Sequence, residues 1–149
     1  MKTKININAD LGESFGNWKM GSDSEMLSLV NSANLACGFH AGDPLVILRT
    51  LEDAHKHHVG IGAHPSFPDL QGFGRRPMQL SEAELEAILF YQLGALQGMA
   101  QTQNMTLEHV KPHGALNNMA CADIQLARQI VNAIRTFDDQ LILLAPACS

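Results

Sequence analysis

The sequence predicts an α/β fold, a parallel sheet or barrel, and three observations carry that expectation. Short apolar runs alternate with stretches that bear helix signals. Four of those runs end in a residue able to do chemistry, just before a glycine- or proline-marked turn: Asp10, His40, His64, and Lys111 with His113. The resulting order, βαβαβαβαβ, needs right-handed crossovers, which make the strands parallel and gather their C-terminal ends on one rim. Active sites of parallel α/β sheets and barrels sit on that rim.

The first strand is expected near residues 4–11. Ile5, Ile7, Ala9 and Leu11 alternate with Asn6, Asn8 and Asp10, so one face is apolar and the other polar. Three polar residues on one strand face suit a polar barrel interior. Ser22 with Glu25 has capping-box spacing and predicts a helix over 23–31. The second strand is expected near 33–39. Asp43-Pro44 is an N-cap followed by proline at the first helical position, opening a helix to about residue 58. The third strand is expected near 59–63, where Gly60, Gly62 and His64 share a face and the glycines leave room for a ligand or a neighbouring side chain. Residues 65–80 form a long loop, which in a compact domain points to function. Ser81 with Glu84 caps a helix to about residue 103, and the fourth strand lies near 107–112, aligning His109, Lys111 and His113. Asp123 caps a helix to about residue 137, and Leu141-Ile142-Leu143-Leu144-Ala145 reads as the fifth strand.

Bulk properties narrow the function classes. The 149 residues fit one domain spanning 1–149, and 46% hydrophobic with 17% charged residues can bury a core. A net charge of -5 with no basic stripe argues against nucleic acid. No signal peptide or membrane span is visible, and Cys37, Cys121 and Cys148 lack paired spacing, so a cytoplasmic protein with reduced thiols is expected. No GxxxxGK[ST] phosphate loop and no G-x-S-x-G elbow is present.

The candidate chemistry lies at the strand ends. Asp10 and Glu13, three residues apart across a turn, can reach one site and split their pKa values into an acid and a base. His40 and His64 serve as general bases or metal ligands, and Asp10, His40 and His64 together have the ligand types for a divalent metal with an open position. Lys111 can hold an anion or developing oxyanion while His113 moves protons. Gly72-Phe73-Gly74-Arg75-Arg76 is a flexible loop whose paired guanidinium groups can grip a carboxylate or phosphate. His55, His57 and His58 at a helix C-terminus, and His109 inside a strand, read as structural.

Four segments carry a resemblance that spans nearly the whole chain: Asn8-Ala9-Asp10-Leu11-Gly12-Glu13-Ser14-Phe15-Gly16, Asn34-Leu35-Ala36-Cys37-Gly38-Phe39-His40-Ala41-Gly42-Asp43-Pro44, Gly62-Ala63-His64-Pro65-Ser66-Phe67-Pro68-Asp69 with the Gly72–Arg76 loop, and Val110-Lys111-Pro112-His113-Gly114-Ala115-Leu116. In these the chain resembles the LamB/YcsF family, the A component of bacterial 5-oxoprolinase. The resemblance implies a (β/α) barrel related to the sugar deacetylase and glycoside hydrolase type. It also implies ATP-dependent opening of 5-oxoproline to glutamate with two partner subunits, B and C. Family members continue through further strands, and a full barrel needs about 250 residues, so an incomplete, C-terminally truncated barrel is expected here.

On that reading Asp10 or His40 activates water, His64 and His113 move protons, Lys111 stabilises the oxyanion, and Asn8 with Arg75 or Arg76 holds the substrate. Two alternatives stand beside it. One is a metal-dependent deacetylase-like hydrolase using Asp10, His40 and His64; the other is an inactive remnant or binding subunit.

Overall fold

A computed structural model describes residues 5–147. Five strands and five helices follow in the order β1 (Asn8–Leu11), α1 (Asp23–Leu27), β2 (Ser32–Ala36), α2 (Pro44–His57), β3 (Gly60–His64), α3 (Glu82–Gln101), β4 (Leu107–Val110), α4 (Gly114–Ala122), α5 (Ile124–Phe137) and β5 (Ile142–Leu143). The strands form one sheet in consecutive order, and every pairing is parallel. This is the wall of a β/α barrel, with β1 and β5 at its two open edges. Among the described residues no helix is long and apolar enough to cross a membrane.

Caps decide where most helices begin. Asp43 accepts from the backbone amides of Leu45 and Val46 at 2.8 and 2.9 Å, and Pro44 starts α2. Ser81 and Glu84 make the reciprocal capping box of α3. The expected box at Ser22 does not form: Ser22 makes no side-chain cap bond, and α1 has only five residues instead of reaching residue 31. The neighbouring Asp23 instead accepts from the Gly12 amide at 3.0 Å, tying α1 to the end of β1.

Other boundaries also move. The strand expected from residue 4 begins at Asn8, because Ile5 and Ile7 lie exposed at the sheet edge instead of facing a core; Lys4 lies outside the described residues. β5 covers two residues, not five, although the Leu144 amide still donates to the Val110 carbonyl at 2.9 Å. Helix α4 is not expected from the sequence. Gly114, Asn117 and Asn118 are weak helix formers, and the helix forms because it buries Ala115 and Leu116.

The two faces of the sheet differ in chemistry. Leu35, Ile61 and Val110 join Leu51 of α2 and Leu85, Leu89, Leu93 and Leu96 of α3 in the apolar core. A register row, Asp10–Asn34–Gly62–His109–Ile142, crosses all five strands on the opposite face. Asn34 is its hub. The Asn34 amino group donates to Asn8 at 2.7 Å and to Asp10 at 2.8 Å. A carboxylate only accepts, which orients the amide and leaves the Asn34 carbonyl oxygen to accept from His109 Nε2 at 2.7 Å. Gly62 provides the space the sequence suggests: a Cβ there would lie 2.2 Å from the His109 ring.

Two outcomes follow. Gly62→Ala forces His109 away from Asn34 and should lower unfolding free energy by about 1–3 kcal/mol, measured by denaturant unfolding; unchanged stability would contradict the packing. His109 is held neutral in the fold, its pKa lowered by burial and then by neighbouring His64 and the Lys111 ammonium. The unfolded chain therefore binds more protons just below the ordinary histidine value of about 6.5, so stability is full above that pH and falls as pH drops through it. The thermal midpoint should decrease from about pH 7 to about pH 5, and His109→Gln should make that slope shallower.

Candidate active site

Loops after β1, β2, β3 and β4 converge on the C-terminal rim. Backbone packing brings the first two together: a Cβ on Gly42, φ +80°, would lie 2.7 Å from the Gly12 carbonyl, so only glycine permits this approach. It sets Glu13 against His40, with Oε1 3.3 Å from Nε2. His64 ends β3, and its Nδ1–H donates to the Lys111 carbonyl at 2.5 Å. Lys111 Nζ reaches back across the rim to Asp10 at 2.6 Å. Asp10 also lies 3.5 Å from His64 Nε2.

The long loop after β3 is a built structure. Asp69 is its hub, accepting from the Gly72 amide at 2.9 Å and from the Arg76 amide at 3.2 Å and Nε at 2.7 Å, with a further bond from Arg76 Nη2. The Arg76 guanidinium holds the Asp69 carboxyl down at about 2. This turn presents Gly74 against His40 and His113, where a Cβ would lie within 2.9 Å of both side chains. Behind the loop, Gln92 of α3 is fully buried; its amide accepts from the Ser66 amide and donates to the Ser66 carbonyl. Ser66 Oγ in turn sits 3.0 Å from His40 Nδ1.

The three rim histidines form one cluster. His40 and His113 stack in parallel, centroids 3.8 Å apart at 8°. His64 stands edge-on to both. His113 Nδ1 lies 3.0 Å from His64 Nε2, and His113 Nε2–H donates to the Phe73 carbonyl at 2.8 Å. Burial, reinforced by His40, pushes the His113 pKa down to about 4. His40 is also lowered, burial outweighing the opposing pull of Glu13. Burial opposes charge on Asp10, but the His64 ring beside it and hydrogen bonds from Lys111 and Asn34 hold that carboxyl well below the usual range.

Of the expected site residues, Asn8, Asp10, His64, Arg75, Lys111 and His113 line one open pocket of about 590 Å³. Glu13 and His40 lie behind it, lining a second cavity of about 450 Å³ with Trp18 and Phe73. Arg75 sits 5.6 Å over the Phe73 ring at the pocket wall. Arg76 lines neither cavity, because Asp69 holds it within the loop. The donor group differs from the expected one. Glu13, His40, His64 and His113 place ligand atoms within 4.8 Å of one another, and such a set can hold a metal ion; Asp10 falls outside it, engaged by Lys111 and Asn34.

Cys37 is buried and burial pushes its thiol pKa up to about 12, Cys121 is exposed on α4, and Cys148 lies outside the described residues. His55, His57 and His58 are exposed at the C-terminal end of α2, where His58 adopts the left-handed cap. Sequence reasoning misses Asn34, Ser66, Asp69 and Gln92 as supporting residues. Gln92 carries a readable signal, a polar residue within the apolar stripe Leu85-Leu89-Leu93-Leu96.

Comparisons with known proteins bear on the family and the fold. The LamB/YcsF family pattern matches residues 5–149. The A component of 5-oxoprolinase from Azoarcus sp. (strain BH72) is 63% identical over 98% of this chain, and that of Methylococcus capsulatus is 54% identical over 100% of it. The chain spans 57% of the length of each. A solved lactam utilization protein from Thermus thermophilus superposes with a TM-score of 0.95 at 49% identity, over 99% of this chain and 60% of that one. On the family match over residues 5–149 and the identity to these relatives, the chain belongs to the LamB/YcsF family.

Proposed function

We propose that this chain is the A component of an ATP-dependent 5-oxoprolinase, hydrolysing the lactam of 5-oxoproline to glutamate together with B and C subunits in the cytoplasm. Its relatives support a role in 5-oxoproline metabolism, and each of them is one lettered component of a larger enzyme, which implies other subunits. The observation that carries the reading is the chain of contacts Lys111–Asp10–His64–His113 along one pocket wall.

Opening a lactam needs a nucleophilic water, charge stabilisation on the carbonyl oxygen and a proton for the leaving nitrogen. Asp10, held well below its ordinary pKa, is a weak base; it keeps the Lys111 ammonium and the His64 ring in place. Lys111 faces the developing oxyanion. His64 and His113 accept the proton from water and return it to nitrogen. Asn8 and Arg75 bind the substrate, Arg75 pairing with its carboxylate. We assign ATP-driven activation of the lactam oxygen to the partner subunits, since these 149 residues contain no GxxxxGK[ST] phosphate loop.

The convergent imidazoles favour one alternative, a metal-dependent deacetylase-like hydrolase. The test is ATP-dependent glutamate release from 5-oxoproline by the chain with B and C subunits, beside a full-length A component. Turnover would support the reading; none, with an active control, would make this chain a remnant or binding subunit. In whichever of the two proteins turns over, Lys111→Ala should lower kcat by about 10²–10³-fold, and unchanged kcat would remove lysine from the mechanism. Arg75→Ala should raise KM, whereas Arg76→Ala should lower the thermal midpoint through loss of the Asp69 contact. A KM change confined to Arg76→Ala would reverse these assignments.

A further inference from the structure

Hydrogen placement is fixed for two of the three rings, and for His40 it turns on Ser66. With the single Ser66 Oγ hydrogen on the Phe67 carbonyl, at 2.8 Å, the hydroxyl accepts from His40 Nδ1–H and the bare Nε2 faces the Glu13 carboxylate at 3.3 Å, the arrangement a cation between them requires. With that hydrogen donated to His40 Nδ1 instead, Nε2–H donates to Glu13 in place of a cation. His64 Nδ1–H and His113 Nε2–H are committed to backbone carbonyls. Their remaining nitrogens, both lone-pair donors in the neutral rings, face each other at 3.0 Å. In the first arrangement four acceptors converge with all the outward N–H groups anchored. Metal-bound histidines show this pattern, each donating its second nitrogen to a carbonyl or hydroxyl behind it.

We propose that Glu13, His40 and His64 bind a divalent cation of the zinc class, with His113 stacked beside the site and outside the ligand set. Two histidines and one carboxylate leave an open coordination position, as catalytic rather than structural zinc sites do. Ring orientation excludes His40 and His113 as joint ligands, and the Glu13 contact selects His40 over His113. Two imidazoles sharing an ion at about 2.0–2.1 Å hold their centroids about 5 Å apart with both lone pairs directed inward. His64 fits that arrangement with His40, at 5.5 Å and 87°, and with His113, at 4.8 Å and 82°. His40 and His113 do not fit it together, since an ion in the plane of one stacked ring lies far outside the plane of the other. The Glu13–His40 separation of 3.3 Å matches neighbouring ligands on one tetrahedral ion. Glu13 is the partly exposed member, side chain 15% exposed, and opens the site to the second cavity.

A cation at this site would occupy the His64 Nε2 lone pair and leave the proton transfer proposed above to His113, so the test reads binding and not turnover. The 149-residue chain, stripped with chelator, is titrated with Co²⁺ and followed by visible absorption, then challenged with Zn²⁺. One equivalent of cobalt with the intense bands of low-coordinate geometry, displaced by zinc, is expected. His40→Asn and Glu13→Gln should each weaken binding by about tenfold or more. Ser66→Ala, which leaves all three ligands in place, should weaken it by about 10–100-fold by freeing the His40 ring. His113→Asn should leave the stoichiometry and band positions unchanged. Circular dichroism of each variant separates lost ligands from lost fold. No saturable binding by the wild-type chain overturns the proposal; loss of the bands in folded His113→Asn but not in folded His40→Asn overturns the ligand set.

Discussion

The amide of Asn34 is the contact on which the polar face of this sheet depends. It is buried in β2 and joins three strands, giving its amino hydrogens to Asn8 and Asp10 and its carbonyl to His109. A carboxylate in this position would repel Asp10, and an apolar residue would leave several half-buried polar groups unpaired, each a costly loss. With Asn34 in place, Asp10 stays ionised and fixed in orientation, and the lysine and histidine at the rim have an anion to organise around. The same residue that closes the inner face therefore sets the charge balance of the pocket above it.

A second layer holds the rim in place from behind. Gln92 grips both backbone groups of Ser66, and Ser66 meets His40 Nδ1 at 3.0 Å and holds the ring in place. Asp69 gathers three donor groups of its own loop and so shapes the turn that covers the histidines. These supports sit on a twenty-residue helix and in a self-bonded loop. Geometry at the site is thus borne by rigid elements, as a reactive constellation requires.

Much of this is legible in the sequence, because strand ends announce themselves twice. An apolar run stops, and a residue able to do chemistry precedes a glycine or proline. Asp10, His64, Lys111 and His113 stand out that way, and they line one pocket. What stays hidden depends on distance along the chain. His109 and Asn34 are 75 residues apart, and Ser66 lies 26 from both His40 and Gln92. Arg75 and Arg76 look equivalent in sequence; a turn hub at Asp69 separates them into a pocket wall and a loop brace. Helix α4 is hidden for a different reason, since tertiary burial of Leu116 outweighs the weak local propensity of its asparagines.

The contact between Gly74 and Gly114 links the cover to the site beneath. A Cβ on Gly114, φ +55°, would lie 2.5 Å from the Gly74 carbonyl, and that carbonyl accepts from the Ala115 amide at 2.9 Å. One residue earlier, the Phe73 carbonyl binds His113 Nε2. The loop cannot lift without releasing His113 at the same moment. In this arrangement the ring carries its hydrogen on Nε2 and turns its bare nitrogen towards His64. The covering loop, the first turn of α4 and the hydrogen position on His113 are thus tied together by two adjacent backbone carbonyls.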